Sequence, residues 1–213
     1  MDSNLCFDIL PKRQRELFEV LSKETWIKKF YLAGGTALAL QLGHRKSVDL
    51  DFFIPEAFDV LYLKNKLKRV GDFKLYSENE DTIHGEINSV EISFFNIPYH
   101  LIDDAIAYRN IRIACKKDIA AMKLAAISSR GSKKDFVDMF FLLKEFSLDQ
   151  MLGFYKEKYG ESEENIYCTL KGLVYFEDAN EEKMPKMFIE VPWREIKKQI
   201  LHAHAKYLKG LKS

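Results

Sequence analysis

The residues best suited to do chemistry are Gly34-Gly35-Thr36 and, twelve residues later, Asp49-Leu50-Asp51 followed by Phe52-Phe53. On a β-strand, residues two apart face the same side, so Asp49 and Asp51 are expected to project together while Leu50 enters the opposite layer. Two neighbouring carboxylates repel each other unless a cation sits between them, and a divalent metal is the usual answer. Magnesium suits such a sparse site, because it completes its octahedron with water and substrate phosphates. The glycine pair supplies the complementary half. A turn without side chains lets backbone N–H groups approach a phosphate at the start of the following helix, with the Thr36 hydroxyl as a further donor. Taken singly, a Gly-Gly pair is a turn and Asp-x-Asp a solvated strand face. Together, in the order strand, turn, helix, strand, they point to phosphoryl or nucleotidyl transfer.

The elements that must position these groups follow from periodicity. Pro11 and the apolar residues Leu17, Phe18 and Leu21 predict a helix over 11–23. A short apolar strand over 30–33 leads into the glycine turn, then a helix over 37–42 stopped by Gly43. A second strand is expected over 48–54, a helix from Pro55 to Gly71, and a hairpin of 82–88 with 90–95 around Asn88-Ser89. After Leu101 strand alternation gives way to helical periodicity, over 119–129, 133–146 and 192–211, with 151–159 and 163–176 also helical and 177–185 a polar loop. The expectation is an α+β chain with a mixed α/β domain over residues 1–105 and a helical domain over 106–213. No Gly/Ser linker separates the two, which predicts a shared interface.

Composition narrows the functions. In 213 residues, 33 Lys and Arg stand against 32 Asp and Glu, a net charge of +1, which argues against polyanion binding through bulk charge. The hydrophobic share of 47% is that of a folded protein with a sizeable core. Cys6, Cys115 and Cys168 have neither metal-ligand nor CxxC spacing, and with no leader-like start the simplest expectation is a reduced, cytoplasmic compartment. No apolar run is long enough to predict a membrane span. No Ser/His/Asp or Cys/His arrangement supports covalent hydrolysis.

In the helical half, Lys123 is the lone charge between Ile119 and Ser129. Such an ammonium either reaches solvent along its stem or meets an anion, a triphosphate among the candidates. Asp135 either supports the first turn of a helix capped by Ser132 or orients Lys123 or Arg130. His44-Arg45-Lys46 reads as a solvated loop that could neutralise phosphates, and Lys64, Lys66, Lys68 and Arg69, with Lys197, Lys198, Lys206 and Lys209, read as solvated helix faces.

Residues 32–40 (LAGGTALAL), 43–47 (GHRKS) and 49–53 (DLDFF) resemble the signature of the AbiEii/AbiGii-type toxin nucleotidyltransferases, a branch of the polymerase-beta-like superfamily. The resemblance continues through 118–126 (DIAAMKLAA) and 130–138 (RGSKKDFVD), and more loosely from Tyr175 to Trp193. It implies a nucleotidyltransferase-like mixed sheet followed by a helical region that closes over the active site. It also implies Mg²⁺-dependent transfer, with one or two ions, of a nucleotide from an NTP to an acceptor, in some members the 3′ end of tRNA, with a cognate antitoxin as partner. By resemblance Asp49 and Asp51 are metal ligands, Gly34, Gly35 and Thr36 bind the triphosphate, and Lys123 and Asp135 join the catalytic set. A third carboxylate on a neighbouring strand is assigned to Glu91, with Glu86 and Asp103 as alternatives. Two other functions fit the same scaffold: a non-catalytic nucleotide- or antitoxin-binding module, and transfer to a small-molecule hydroxyl.

Overall fold

A computed structural model describes residues 5–160 and 162–211. The chain divides into two compact units, Met1–Cys115 and Lys116–Ser213. The first therefore extends ten residues past the expected limit at 105. The cause is a second hairpin, of two three-residue strands, within the stretch expected to be helical.

The first unit is built on a mixed sheet of seven strands: β1 (Tyr31–Leu32), β2 (Leu50–Ile54), β3 (Phe73–Asn79), β4 (Thr82–Ile87), β5 (Val90–Asn96), β6 (Ile106–Tyr108) and β7 (Ile111–Ile113), in the spatial order β3-β4-β5-β2-β1-β7-β6. Strand β1 runs antiparallel to β2, with Leu32 opposite Phe52, and parallel to β7, with Leu32 beside Ile113. Strands β2 and β5 are parallel, aligning Asp51 with Ser93 and Phe52 with Phe94. On one face Leu50, Phe52, Ile92 and Phe94 are buried, and the Phe52 and Phe94 rings stack at 5.3 Å. Asp51, Phe53, Ser93 and Phe95 alternate onto the other face.

Helix α1 (Lys12–Leu21) buries Leu17, Phe18 and Leu21. Helix α2 (Gly34–Leu42) carries no charge, buries Thr36, Ala37, Leu38, Ala39 and Leu40, and ends at Gly43 in the left-handed conformation that glycine adopts without penalty. Helix α3 (Val60–Val70) starts five residues after Pro55, because Asp59 caps it by accepting from the Tyr62 N–H at 2.8 Å. The β4–β5 turn holds Asn88 and Ser89 at φ 51° and 64°, the conformation two-residue hairpins favour.

The second unit is helical: α4 (Lys116–Ser129), α5 (Lys133–Leu142), α6 (Leu148–Tyr159), α7 (Glu163–Gly172), α8 (Glu177–Glu181) and α9 (Trp193–Gly210). Helix α4 is central to it. Gly172 on α7 approaches so closely that a Cβ would lie 3.1 Å from the Ile127 carbonyl oxygen, so the contact depends on glycine. A buried ion pair, Lys158 Nζ to Asp118 Oδ1 at 2.7 Å, ties α6 to α4. Phe136, Phe176 and Trp193 form an aromatic cluster with centroids 4.8 to 6.0 Å apart. The expected polar loop over 177–185 contains the short helix α8.

Candidate active site

In the first unit the site is made where β1 stops and α2 begins. The Ala33 N–H donates to the Asp51 carbonyl at 3.1 Å, continuing the β1–β2 ladder up to the turn. Gly34 then takes φ +68°, and a Cβ there would lie 3.6 Å from Asp51 Oδ2. The Asp51 carboxylate thus stands directly beside the glycine at the head of α2. Ala33, at the N-cap, offers no capping side chain, so the first-turn N–H groups of Gly34, Gly35 and Thr36 are aimed outward without one.

Thr36 differs from the expectation. Its hydroxyl is buried, hydrogen-bonded to Ser47 Oγ at 2.7 Å and donated to the Asp49 carbonyl oxygen. It braces the loop that delivers Asp49, and its side chain is not directed to a phosphate. Asp49 itself precedes the strand, which begins at Leu50, so the two aspartates are held by different means. The ladder fixes Asp51, and the Thr36 brace fixes Asp49. Both are partly buried. Ser47, buried at the brace, is a supporting residue that the sequence reading did not single out. His44 and Arg45 are buried rather than solvated, which corrects the reading of that loop.

Glu91 does not complete a three-carboxylate set. It is exposed, pairs in register with Glu86, and the β5 residue aligned with Asp51 is Ser93, whose hydroxyl meets His84 Nδ1 at 3.1 Å. Glu86 is engaged by Lys74 at 2.9 Å and the Tyr76 hydroxyl at 2.5 Å. Exposed Asp103 accepts from the Asp104 N–H at 2.9 Å. Among the described residues no group of three or more His, Cys, Asp or Glu side chains is arranged to hold a metal. The Asp51 carboxylate beside a glycine with no Cβ, with Asp49 two residues before it in the chain, offers hard-oxygen donors of the kind that fit Mg²⁺, an ion that takes its remaining ligands from water and substrate.

In the second unit Lys123 neither reaches solvent nor lies open to an anionic ligand. Its ammonium, on α4, is 2.7 Å from Asp135 Oδ1 and 2.6 Å from Asp138 Oδ2, both on α5 and both fully buried. Asp135 also accepts from Arg130 Nε at 2.9 Å, Arg130 Nη2 at 3.2 Å and Ser132 Oγ at 2.7 Å. Burial alone would raise the pKa of Asp135, but Lys123 and Arg130 outweigh it and hold the carboxyl well below the usual range. Ser132 occupies the N-cap position of α5 but makes no side-chain cap, since its hydroxyl is given to Asp135. Asp135 thus orients both Lys123 and Arg130, one of its two expected roles. Asp138, three residues on, is the partner whose importance the spacing alone did not reveal.

The family model described as "Nucleotidyl transferase AbiEii toxin, Type IV TA system" matches residues 15–209. The chain belongs to this family of nucleotidyltransferases. An uncharacterized protein of Aquifex aeolicus (strain VF5) is 37% identical over 207 residues, covering 94% of this chain and 98% of that one. JHP933 from Helicobacter pylori shares the fold with a TM-score of 0.57 and 18% identity, over 96% of this chain and all of that one. The nucleotidyltransferase toxin MenT4 (Rv2826c) from Mycobacterium tuberculosis H37Rv does so with a TM-score of 0.53 and 13% identity, over 90% of this chain and 82% of that one. Among the described residues no helix is long and apolar enough to cross a membrane.

Proposed function

We propose that this nucleotidyltransferase moves a nucleotide from an NTP to the 3′ end of tRNA in the cytoplasm, as the toxin of a toxin–antitoxin pair restrained by a cognate antitoxin protein. The observation that carries the reading is the Asp51 carboxylate beside Gly34, where a Cβ would come within 3.6 Å of Oδ2. Carboxylate and phosphate-binding turn are thereby parts of one small site. Asp49 and Asp51 would hold one or two Mg²⁺ ions. When bound there, magnesium supplies the charge that offsets the phosphates and the leaving pyrophosphate.

The chain's own residues do the rest. Gly34 and Gly35 let the backbone of the turn approach the triphosphate, and the head of α2 offers it unpaired-end N–H groups and a favourable helix dipole. Thr36 and Ser47 keep Asp49 in place. Asp51, held by the β1–β2 ladder, is pre-set rather than recruited on binding, which lowers the cost of assembling the site. The helical unit carries the buried cluster of Lys123, Asp135 and Asp138, whose internal counter-charges keep it rigid.

The test is transfer of each labelled NTP to bulk tRNA with Mg²⁺, comparing the wild type with Asp49→Ala/Asp51→Ala. Label in RNA from the wild type alone, lost on chelation of the metal, is the expected result. NTP binding without labelled RNA would overturn the tRNA acceptor and direct the search to a small-molecule hydroxyl. Equal labelling by wild type and double variant would overturn the carboxylate assignment.

A further inference from the structure

Resting on the reading that the acceptor is RNA, we propose that helix α9 carries a single-stranded RNA site of its own, a ridge of basic side chains for the phosphates beside a cleft that takes an unstacked base. Helix α9 buries Ile196 and Ile200, packing towards α5 and α6 within its unit. At 100° per residue, Arg194, Lys198, His202, Lys206 and Lys209 fall within about 120° of one another on the opposite side. All five are exposed. Four of them, from Arg194 to Lys206, recur every fourth residue and form a ridge about 18 Å long at 1.5 Å per residue. At about 3.4 Å per nucleotide of a stacked strand, the ridge spans roughly five nucleotides.

A solvated helix face ordinarily carries both signs in pairs, and this one does not. Helix α9 holds five Lys and Arg against one Glu, in a chain whose net charge is only +1. Among the described residues, none of the five exposed basic side chains has an ion pair or a side-chain hydrogen bond. The contrast with α3 is direct: Lys64 is paired with Glu78 at 2.7 Å and Lys66 lies over the Tyr62 ring at 5.1 Å. Lys197, off the exposed face of α9, is likewise held by Asn180 Oδ1 at 3.2 Å and by the Trp193 ring. Like charges four residues apart on a helix repel each other, and a phosphate backbone is the polyanion that relieves such a row.

Beside the ridge lies a cleft of about 890 Å³, between α9 and the 143–149 corner that joins α5 to α6. Lys198, His202 and Lys206 line one side of it, while Phe146, Leu148 and Tyr207 give it apolar surface. Phe146 and Tyr207 are half-buried, so each ring is anchored in the unit and still reaches the cleft. Aromatic rings next to backbone-binding cations are the two parts of a single-strand site, because every unstacked base offers a π-face. Two exposed carboxylates, Asp149 and Glu195, also line the cleft. They can only accept hydrogen bonds, which suits the amino groups of a base and opposes an acidic peptide. The mixture of bare cations, aromatic rings and acceptors therefore favours RNA over an acidic protein as the occupant.

The experiment uses the full chain, with bulk tRNA and a single-stranded RNA oligonucleotide of mixed sequence as probes, binding being measured over a series of salt concentrations and transfer alongside. Lys198→Ala/Lys206→Ala should weaken both RNAs about tenfold or more and lower the slope of log affinity against log salt by about 1.4–1.8, as the loss of two phosphate contacts requires. In transfer the same variant should raise the KM for tRNA and leave NTP affinity unchanged. Phe146→Leu, which keeps apolar bulk and removes the ring, should weaken the oligonucleotide about fivefold or more with no change of salt slope. Lys64→Ala/Lys66→Ala removes the same charge from α3 and should bind both RNAs as wild type does. A Lys198→Ala/Lys206→Ala protein with wild-type affinity and slope would overturn the proposal. So would an equal loss in the α3 variant, which would make the effect one of net charge, or a folded Phe146→Leu protein that binds the oligonucleotide as wild type does. Both α9 lysines are exposed, so their variant decides the matter even where Phe146→Leu does not fold. A wild type that binds no RNA would bring down the RNA acceptor and this inference together, whereas one that binds RNA through the ridge and labels none would overturn the acceptor alone.

Discussion

Replacing Lys123 with methionine isolates the energetics of the helical unit. Methionine keeps most of the stem's volume and removes only the ammonium, leaving Asp135 and Asp138, each with 0% exposed side chains, without the cation 2.6 to 2.7 Å away. Asp135 retains its fork from Arg130 and its bond from Ser132. Breaking a buried pair from one side costs about 3–5 kcal/mol. For a chain of this length each kcal/mol moves the melting temperature by about 2–4 °C, so a drop of roughly 6–20 °C is expected. Thermal unfolding followed by circular dichroism measures it. The exposed pair Lys12–Glu16, at 3.9 Å with 89% and 62% side-chain exposure, is the internal control. Lys12→Met should leave the midpoint almost unmoved, because exposed pairs are worth about 0–1 kcal/mol. A Lys123→Met protein that melts within a degree or two of the wild type would refute the claim that the ammonium is a structural counter-charge.

Two further outcomes follow from the same geometry. Thr36→Val deletes the hydroxyl bonded to Ser47 and to the Asp49 carbonyl without changing the shape of α2; urea unfolding should report a loss of about 1–2 kcal/mol, and nucleotide transfer should fall further than that loss explains. Asp135, held below the ordinary carboxylate range, titrates lower folded than unfolded. Its contribution is therefore complete above an unfolded pKa of about 3.9 and is lost as pH falls below it, so urea midpoints taken from about pH 6 to pH 3 should decline more steeply for the wild type than for Asp135→Asn.

The parts of this fold that were legible carry local signals. The turn at Gly34, the stop at Gly43 and the Asn88-Ser89 hairpin each need a residue tolerant of positive φ, and the residues present announce it. The hairpin of β6 and β7 is marked more weakly. Its two-residue turn, Arg109-Asn110, puts the positive φ of 50° on Arg109 rather than on the asparagine, between strands of only three residues each. Strand β3 was missed for another reason. As an edge strand it is exposed along almost its whole length, so the alternation that reveals a half-buried strand is missing. The turn at Gly34 and the strand that carries Asp51 could be read from spacing. What Thr36, Lys123 and Asp138 touch could not, because each partner comes from another part of the chain and its choice is settled by packing.

The two-residue strand β1 has a bearing on how the protein comes into being. Its neighbours in the sheet are β2, about twenty residues away, and β7, about eighty residues away, where Leu32 meets Ile113. The centre of the sheet cannot be completed until the chain has been made past Ile113, and pairings of such long range are slow to form. During synthesis the edge of β1 that β7 covers must therefore wait unpaired, which leaves the nascent chain open at this edge to aggregation or chaperone binding in that interval.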